Sequence, residues 1–290
     1  MAQRFRVVTD STADVPPAWR ERYGIEVVPL KVLFGGESFR DGVDLGGEEF
    51  FARLRSATRL PTTSAPAPGE FSAVYERLSR ECEGVVSIHL GANLSGTVES
   101  ARVGARALEG FPVHVVDSRS LSLCVGFLCR VAVESPSLEE AVRRVEERVP
   151  RQRVLALLDT LRYLEMGGRL SRARALVGTA LDLKPILGLA DGEIRPLDRV
   201  RTRGRAVARL MELFRRDLPT EHVAVMHAHA PEEAERMRSV LAEELPGNEV
   251  HVGQIGPVLG THVGPGAVGM AYLKAGPPRG TRVPGTRPPR

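Results

Sequence analysis

Cysteine, lysine, asparagine and aromatic residues are all scarce in this chain of 290 residues. The three cysteines, Cys82, Cys124 and Cys129, are odd in number and lack both CxxC and metal-ligand spacing. That pattern excludes a disulfide framework and fits reduced core thiols of a cytoplasmic protein. Aromatics form 5% of the chain, too few for single-strand recognition by base stacking. No apolar run approaches the roughly 18 residues of a membrane span. The opening MAQRFRVVTD passes straight into a strand and carries no apolar signal-peptide core. Lysine occurs three times (Lys31, Lys184, Lys274) and asparagine twice (Asn93, Asn248). Thermal adaptation and coding bias explain that preference for arginine equally well.

An excess of positive charge is also missing from the body of the chain. The formal charge is +4 and the pI about 9.2. Residues 275–290 contain Arg279, Arg282, Arg287 and Arg290 and no acid, so the tail accounts for the whole excess. A neutral body argues against a nucleic-acid partner. The tail has five Pro and three Gly; it cannot build a core and is expected to be disordered. There is no Walker A or kinase signature, and no carboxylate pair in an evident catalytic context.

What is present is a turn-rich globular composition: 42% hydrophobic residues, 29 Gly and 21 Pro. Strand-like and helical segments alternate to about residue 150. The segments Arg4–Thr9, Ile25–Phe34, Gly84–Leu90 and Val113–Val116 read as strands. Helices are expected at Glu48–Ser56, Glu70–Arg80, Ser95–Leu108, Ser120–Glu134 and Leu138–Arg148. This order implies βαβ units and a parallel sheet covered on both faces. A second α/β unit begins at Arg153–Leu158. In it Asp191-Gly192 predicts a hairpin joining Lys184–Leu189 to Glu193–Leu197. Helices are expected at Ser171–Leu181, Thr202–Phe214, Pro231–Leu245 and Gly266–Leu273. The fold class is therefore α/β with two domains, residues 1–150 and 151–274, followed by the tail 275–290. The sheet is mainly parallel in the first domain and mixed in the second.

Four segments carry candidate chemistry. Gly264-Pro265-Gly266-Ala267-Val268-Gly269 matches GxGxxG, but no strand and acid follow it, which excludes a dinucleotide site. As a glycine-rich turn opening a helix it would expose N–H groups to an anion, with His262 beside it. A surface turn is the alternative. Ser95, in Leu94-Ser95-Gly96-Thr97, is either a helix N-cap or a ligand hydroxyl beyond a strand end. Pro61-Thr62-Thr63-Ser64-Ala65-Pro66 places three hydroxyls in a loop stiffened by proline. His227 and His229 lack further ligands for a metal. Hydroxyls, helix ends and one histidine suit a single carboxylate, and an apolar interior between two domains suits an aliphatic chain.

Eight motifs in order resemble the DegV family over about residues 4 to 273. They are VVTDST (from Val7), PTTSAP (Pro61), LSGT (Leu94), VVDS (Val115), LRYLEMGGRLS (Leu161), LDLKPIL (Leu181), DGEI (Asp191) and THVGPGAVG (Thr261). The resemblance implies a two-domain DegV-like fold that binds one long-chain fatty acid, with its carboxylate at the interdomain cleft. It implies a non-catalytic, cytoplasmic lipid-binding subunit without a cofactor. That subunit would present the acid to a separate ATP-dependent fatty acid kinase subunit, with Arg169 and Arg201 as candidate contacts. The ligand-binding residues it implies are Thr63, Ser64, Ser95, Gly96, His262 and Gly266. Ala65 stands where the family usually has Gln. A different reading is a serine acyl hydrolase using Ser95, His262 and Asp117.

Overall fold

The structure is a computed structural model that describes residues 5–170 and 183–276. The N-terminal half runs β1 (Arg6–Asp10), α1 (Pro17–Tyr23), β2 (Glu26–Val28), β3 (Lys31–Phe34), β4 (Glu37–Arg40), α2 (Gly47–Ser56) and β5 (Thr62–Ser64). It continues with α3 (Pro68–Leu78), β6 (Val85–His89), α4 (Thr97–Arg106), β7 (Val113–Asp117), α5 (Leu123–Val133) and α6 (Leu138–Glu146). The C-terminal half runs β8 (Gln152–Leu157), α7 (Arg162–Met166), β9 (Lys184–Ala190), β10 (Glu193–Val200) and α8 (Arg203–Arg215). It ends with β11 (Thr220–His227), α9 (Pro231–Glu244), β12 (Val250–Gln254), α10 (Pro257–Val263) and β13 (Val268–Lys274).

The expected parallel sheet has the order β2-β1-β6-β7, every pair parallel. The expected strand Ile25–Phe34 divides at Pro29, which has no N–H to continue a ladder. Its first part, β2, stays at the edge of the parallel sheet. Its second part, β3, joins a three-stranded antiparallel sheet of order β4-β3-β5. The hydroxyl-rich loop after Pro61 is thus partly a strand: Thr63 of β5 pairs with Val32 of β3. Pro68 then opens α3 at its first turn, where a missing N–H costs nothing.

The sheet of the C-terminal half has the order β10-β9-β8-β13-β11-β12. All pairs are antiparallel except β11 with β12. The Asp191-Gly192 hairpin forms as expected, with φ positive at both residues. The expected helix Gly266–Leu273 does not form. Residues Val268–Lys274 are instead β13, in the interior of the sheet between β8 and β11. Val268, Met270 and Tyr272 pack on one side of it, and Ala267, Ala271 and Leu273 on the other. This alternation is a strand signal, which the glycine-rich turn before it masks. The expected helix Ser171–Leu181 lies outside the described residues.

Helix α5 lies between the sheets. Nine of its eleven residues are buried, and it packs on β1 and β6 on one side and β13 and β11 on the other. A helix apolar all round needs two covered faces, so α5 joins both halves into one hydrophobic core. No helix among the described residues is long and apolar enough to cross a membrane.

Candidate ligand-binding site

A cavity lies between the C-terminal sheet and the N-terminal half. It encloses about 1150 Å³ of space, part of it open to solvent. Its apolar walls come from several elements, among them Leu30, Leu90, Leu121, Leu187, Ile255 and Leu259. The sheet contributes small residues on one face: Ala156 of β8 stands opposite Gly269 of β13, and Ala271 opposite Val154. Large side chains at these positions would fill the space. The short side chains leave room for a ligand between layers that otherwise meet at van der Waals contact.

The polar lining comes from Thr63, Ser64, Ser95, Arg169 and His262, with Ser122 and His227 elsewhere on the wall. Thr63 Oγ1 lies 2.9 Å from Nε2 of His262. Strand β5, held by β3, supplies Thr63; the last turn of α10 supplies His262. The ring is packed tightly, since a Cβ on Gly167 would fall 2.3 Å from His262 Nδ1. That nitrogen is buried and has no hydrogen-bond partner. Burial, followed by the nearby Arg169 charge, pulls His262 down to about 4, so the imidazole is neutral at pH 7. The positive charge at this wall therefore resides on Arg169. Its guanidinium is tethered by donation to the Gly167 carbonyl at 2.6 Å and the Leu94 carbonyl at 3.3 Å.

Ser95 is on the cavity wall, but it does not cap α4. Gly96 occupies the N-cap position, and the Ser95 hydroxyl is 2.9 Å from Thr97 Oγ1. Gly96 and Gly266 lie outside the cavity wall. The glycine-rich turn opens a strand, so no helix N-terminus faces an anion there. Gly266 N–H donates to Ala228 O at 2.8 Å, and its carbonyl accepts from Arg203 at 2.5 Å. Its φ is +81°, and a Cβ would fall 2.2 Å from an Asp159 carboxylate oxygen. Glycine is needed there for this turn and this close contact. Arg201 is exposed and away from the cavity wall.

The hydrolase constellation is not assembled. His262 is bonded to Thr63, and Asp117 accepts from the backbone N–H groups of Ala92 at 3.1 Å and Arg119 at 2.9 Å. A serine–histidine–aspartate chain does exist elsewhere: Ser87 Oγ is 2.7 Å from His89 Nε2, and His89 Nδ1 is 3.0 Å from Asp10. All three residues are fully buried, with Tyr75 against Ser87, so no substrate can reach this serine. His227 lines the cavity, its Nδ1 accepting from Ala230 N–H at 3.3 Å. His229 lies against the Phe51 ring. No group of three or more potential metal ligands occurs among the described residues.

Arg169 and the Ala156, Gly269 and Ala271 face were not legible as parts of a cavity wall. Alternating small residues in VLALL and AVGMAYL were the available signal for that face. Reading the second segment as a helix concealed it.

Comparison with known proteins accounts for this architecture. Residues 4–275 match the family described as uncharacterised protein, DegV family. The chain is 37% identical to protein DegV of Bacillus subtilis over 275 residues, covering 92% of this chain and 98% of that one. It is 38% identical to a DegV domain-containing protein of Streptomyces coelicolor, covering 93% and 98% respectively. Among solved structures, a DegV family protein of Thermus thermophilus described by its fatty acid binding superposes with a TM-score of 0.87 at 34% identity, covering 94% of this chain and 100% of that one. DegV of Bacillus subtilis, described as a fatty acid binding protein, gives 0.85 at 35% identity, covering 94% and 99%. With these sheets, the cavity between them and this match over nearly its whole length, the chain belongs to the DegV family.

Proposed function

We propose that this protein binds one long-chain fatty acid. The acyl chain occupies the apolar cavity and the carboxylate meets Thr63, Ser95, His262 and Arg169, with Ser64 at the rim. The observation that carries this reading is the cavity's asymmetry: Thr63 and His262 are in contact, the Arg169 charge is near that ring, and most of the remaining wall is apolar. Such a site matches a molecule with one anionic end and a hydrocarbon body. Fatty acid binding by the Thermus thermophilus and Bacillus subtilis relatives supports the same ligand class. Native mass spectrometry of protein purified from cells tests it. A co-purifying fatty acid, or uptake of added oleate, is expected; an empty protein that takes up no fatty acid would overturn the reading.

In this reading the protein performs no chemistry itself and uses no cofactor. It divides at about residue 150 into two domains and offers the carboxylate at the cleft between them to a separate ATP-dependent kinase subunit. A carboxylate oxygen would then attack the γ-phosphate and release ADP, leaving an acyl phosphate. Arg201, exposed and clear of the cavity, suits contact with that partner; Arg169, on the cavity wall, suits the ligand first and the partner second. The three cysteines are free, which fits a cytoplasmic location. A fluorophosphonate probe separates this reading from acyl hydrolysis, because Ser95 is expected to remain unlabelled.

A further inference from the structure

Two carboxyl groups, buried Asp41 and half-buried Asp14, face the start of α10, the helix whose last turn carries His262. Asp14 Oδ1 accepts from Gly256 N–H at 2.9 Å, and Asp14 Oδ2 accepts from the Ser122 hydroxyl at 2.7 Å. Asp41 lies beside the Ser11 hydroxyl and the N–H of Val258. Both aspartates press on the same glycine: a Cβ on Gly256 would fall 3.0 Å from Asp41 Oδ1 and 3.5 Å from Asp14 Oδ1. Asp41 is 3% exposed, and its Oδ2 is buried with no hydrogen-bond partner.

The backbone is strained at this point. Asp14 has φ +47° and Ser122 φ +55°, left-handed values that a residue with a Cβ adopts only when its surroundings impose them. The two strained residues are joined by their side chains, and Ser122 also lines the cavity. Asp14 therefore links the cavity wall to the start of α10.

We propose that Asp14 and Asp41 are positioning residues that hold α10 in register by a protonated carboxyl clasp on Gly256, and so set His262 against Thr63. This rests on the fatty-acid reading above for its consequence in binding, though not for the clasp itself.

The proton follows from chemistry. No basic side chain among the described residues pairs with either aspartate, and the fully buried Asp10 lies close enough to repel both. Neighbouring carboxylates without a cation cannot all stay ionised away from water. Burial pushes Asp14 up to about 8 and Asp41 up to about 6. The other groups around them do not supply the missing charge. His89 is bonded to Asp10, and the Cys129 thiol is pushed up to about 12 by burial. His227, whose carbonyl accepts from Ile255 N–H, has its ring pulled below the usual imidazole range by burial. Arg40, next to Asp41 in the chain, pairs outward with Asp44.

The test uses the full chain, with oleate as the probe and amide hydrogen exchange as a readout that needs no ligand. In the wild type, exchange protection of residues 256–263, corrected for the intrinsic rate, should fall about tenfold between pH 7 and pH 9.5 as the clasp loses its proton. Oleate affinity should fall with it. Asp14→Asn keeps an acceptor for Gly256 and cannot ionise, so both readouts should stay within about twofold of wild type at pH 7 and lose their pH dependence. Asp14→Ala, which removes the acceptor, should weaken both about tenfold at pH 7. An Asp14→Asn profile that tracks the wild type overturns the proposal, as does a folded Asp14→Ala protein indistinguishable from wild type. If the wild type binds no oleate at pH 7, the functional reading fails while hydrogen exchange still decides the clasp.

Discussion

Thr63 and His262, 199 positions apart in the chain, meet at 2.9 Å across the mouth of the cavity. One is held by an edge strand of a small antiparallel sheet in the N-terminal half, the other by a short helix before the last strand of the C-terminal half. The contact joins the two halves at the point proposed for the ligand's polar end, so substitutions there test binding directly.

The double substitution Thr63→Val with Ser95→Ala should therefore weaken fatty acid binding and leave the fold intact. A hydrogen bond to a charged group contributes about 1.5–3 kcal/mol, so loss of two should reduce affinity by about a hundredfold or more. Titration calorimetry with oleate measures the loss, and thermal melting checks that the fold survives. Unchanged affinity would remove these hydroxyls from the site.

Arg169 should supply the electrostatic part of the affinity, because His262 is neutral at pH 7. Arg169→Gln is expected to lower oleate affinity by about tenfold. It should also flatten the dependence of affinity on salt, which is measured by repeating the titration across ionic strength. Equal salt dependence in both proteins would place the relevant charge elsewhere.

His262 also sets a pH dependence of stability. Its folded value, about 4, lies below the ordinary imidazole value of 6.5. Between those values the unfolded chain binds more protons than the folded one, so stability falls as pH drops from 6.5 toward 4. His262→Asn removes this term. Denaturant unfolding at pH 7 and pH 4.5 should show a smaller acid loss in the variant than in the wild type.

The small face of the C-terminal sheet should decide how much hydrocarbon fits. Ala271 is fully buried and lines the cavity, so Ala271→Leu places extra carbon in the space left for the ligand. Binding of a C18 acid should fall about tenfold or more, whereas a C10 acid should be less affected. Because the new side chain enters an existing void, the melting temperature should change little. Equal loss for both acids would argue against an acyl chain lying along this face.

Deleting residues 277–290 removes four arginines and brings the formal charge to zero. The isoelectric point should fall while oleate affinity and melting temperature stay unchanged. Weaker oleate binding at equal stability would give the tail a part in the site.

The sequence by itself determined much of this protein. The strand–helix alternation gave the parallel sheet, because period and punctuation are local properties of the chain. The Asp191-Gly192 turn required its hairpin, since only a few dipeptides accept φ positive at two successive residues. The neutral body separated the ligand's charge from the bulk pI. Eight motifs in order carried the family. Tertiary structure decided the rest. It made the final segment an interior strand, because neighbours on both sides complete a ladder that short-range pattern cannot specify. It divided one expected strand between two sheets at Pro29. It set His262 at the end of a helix rather than before one, and made that ring neutral by burying it beside Arg169. It also brought Asp14 and Asp41 to Gly256, more than 200 residues later. Which groups share a dry, confined space depends on packing between distant elements, and that packing fixes the charge each group carries.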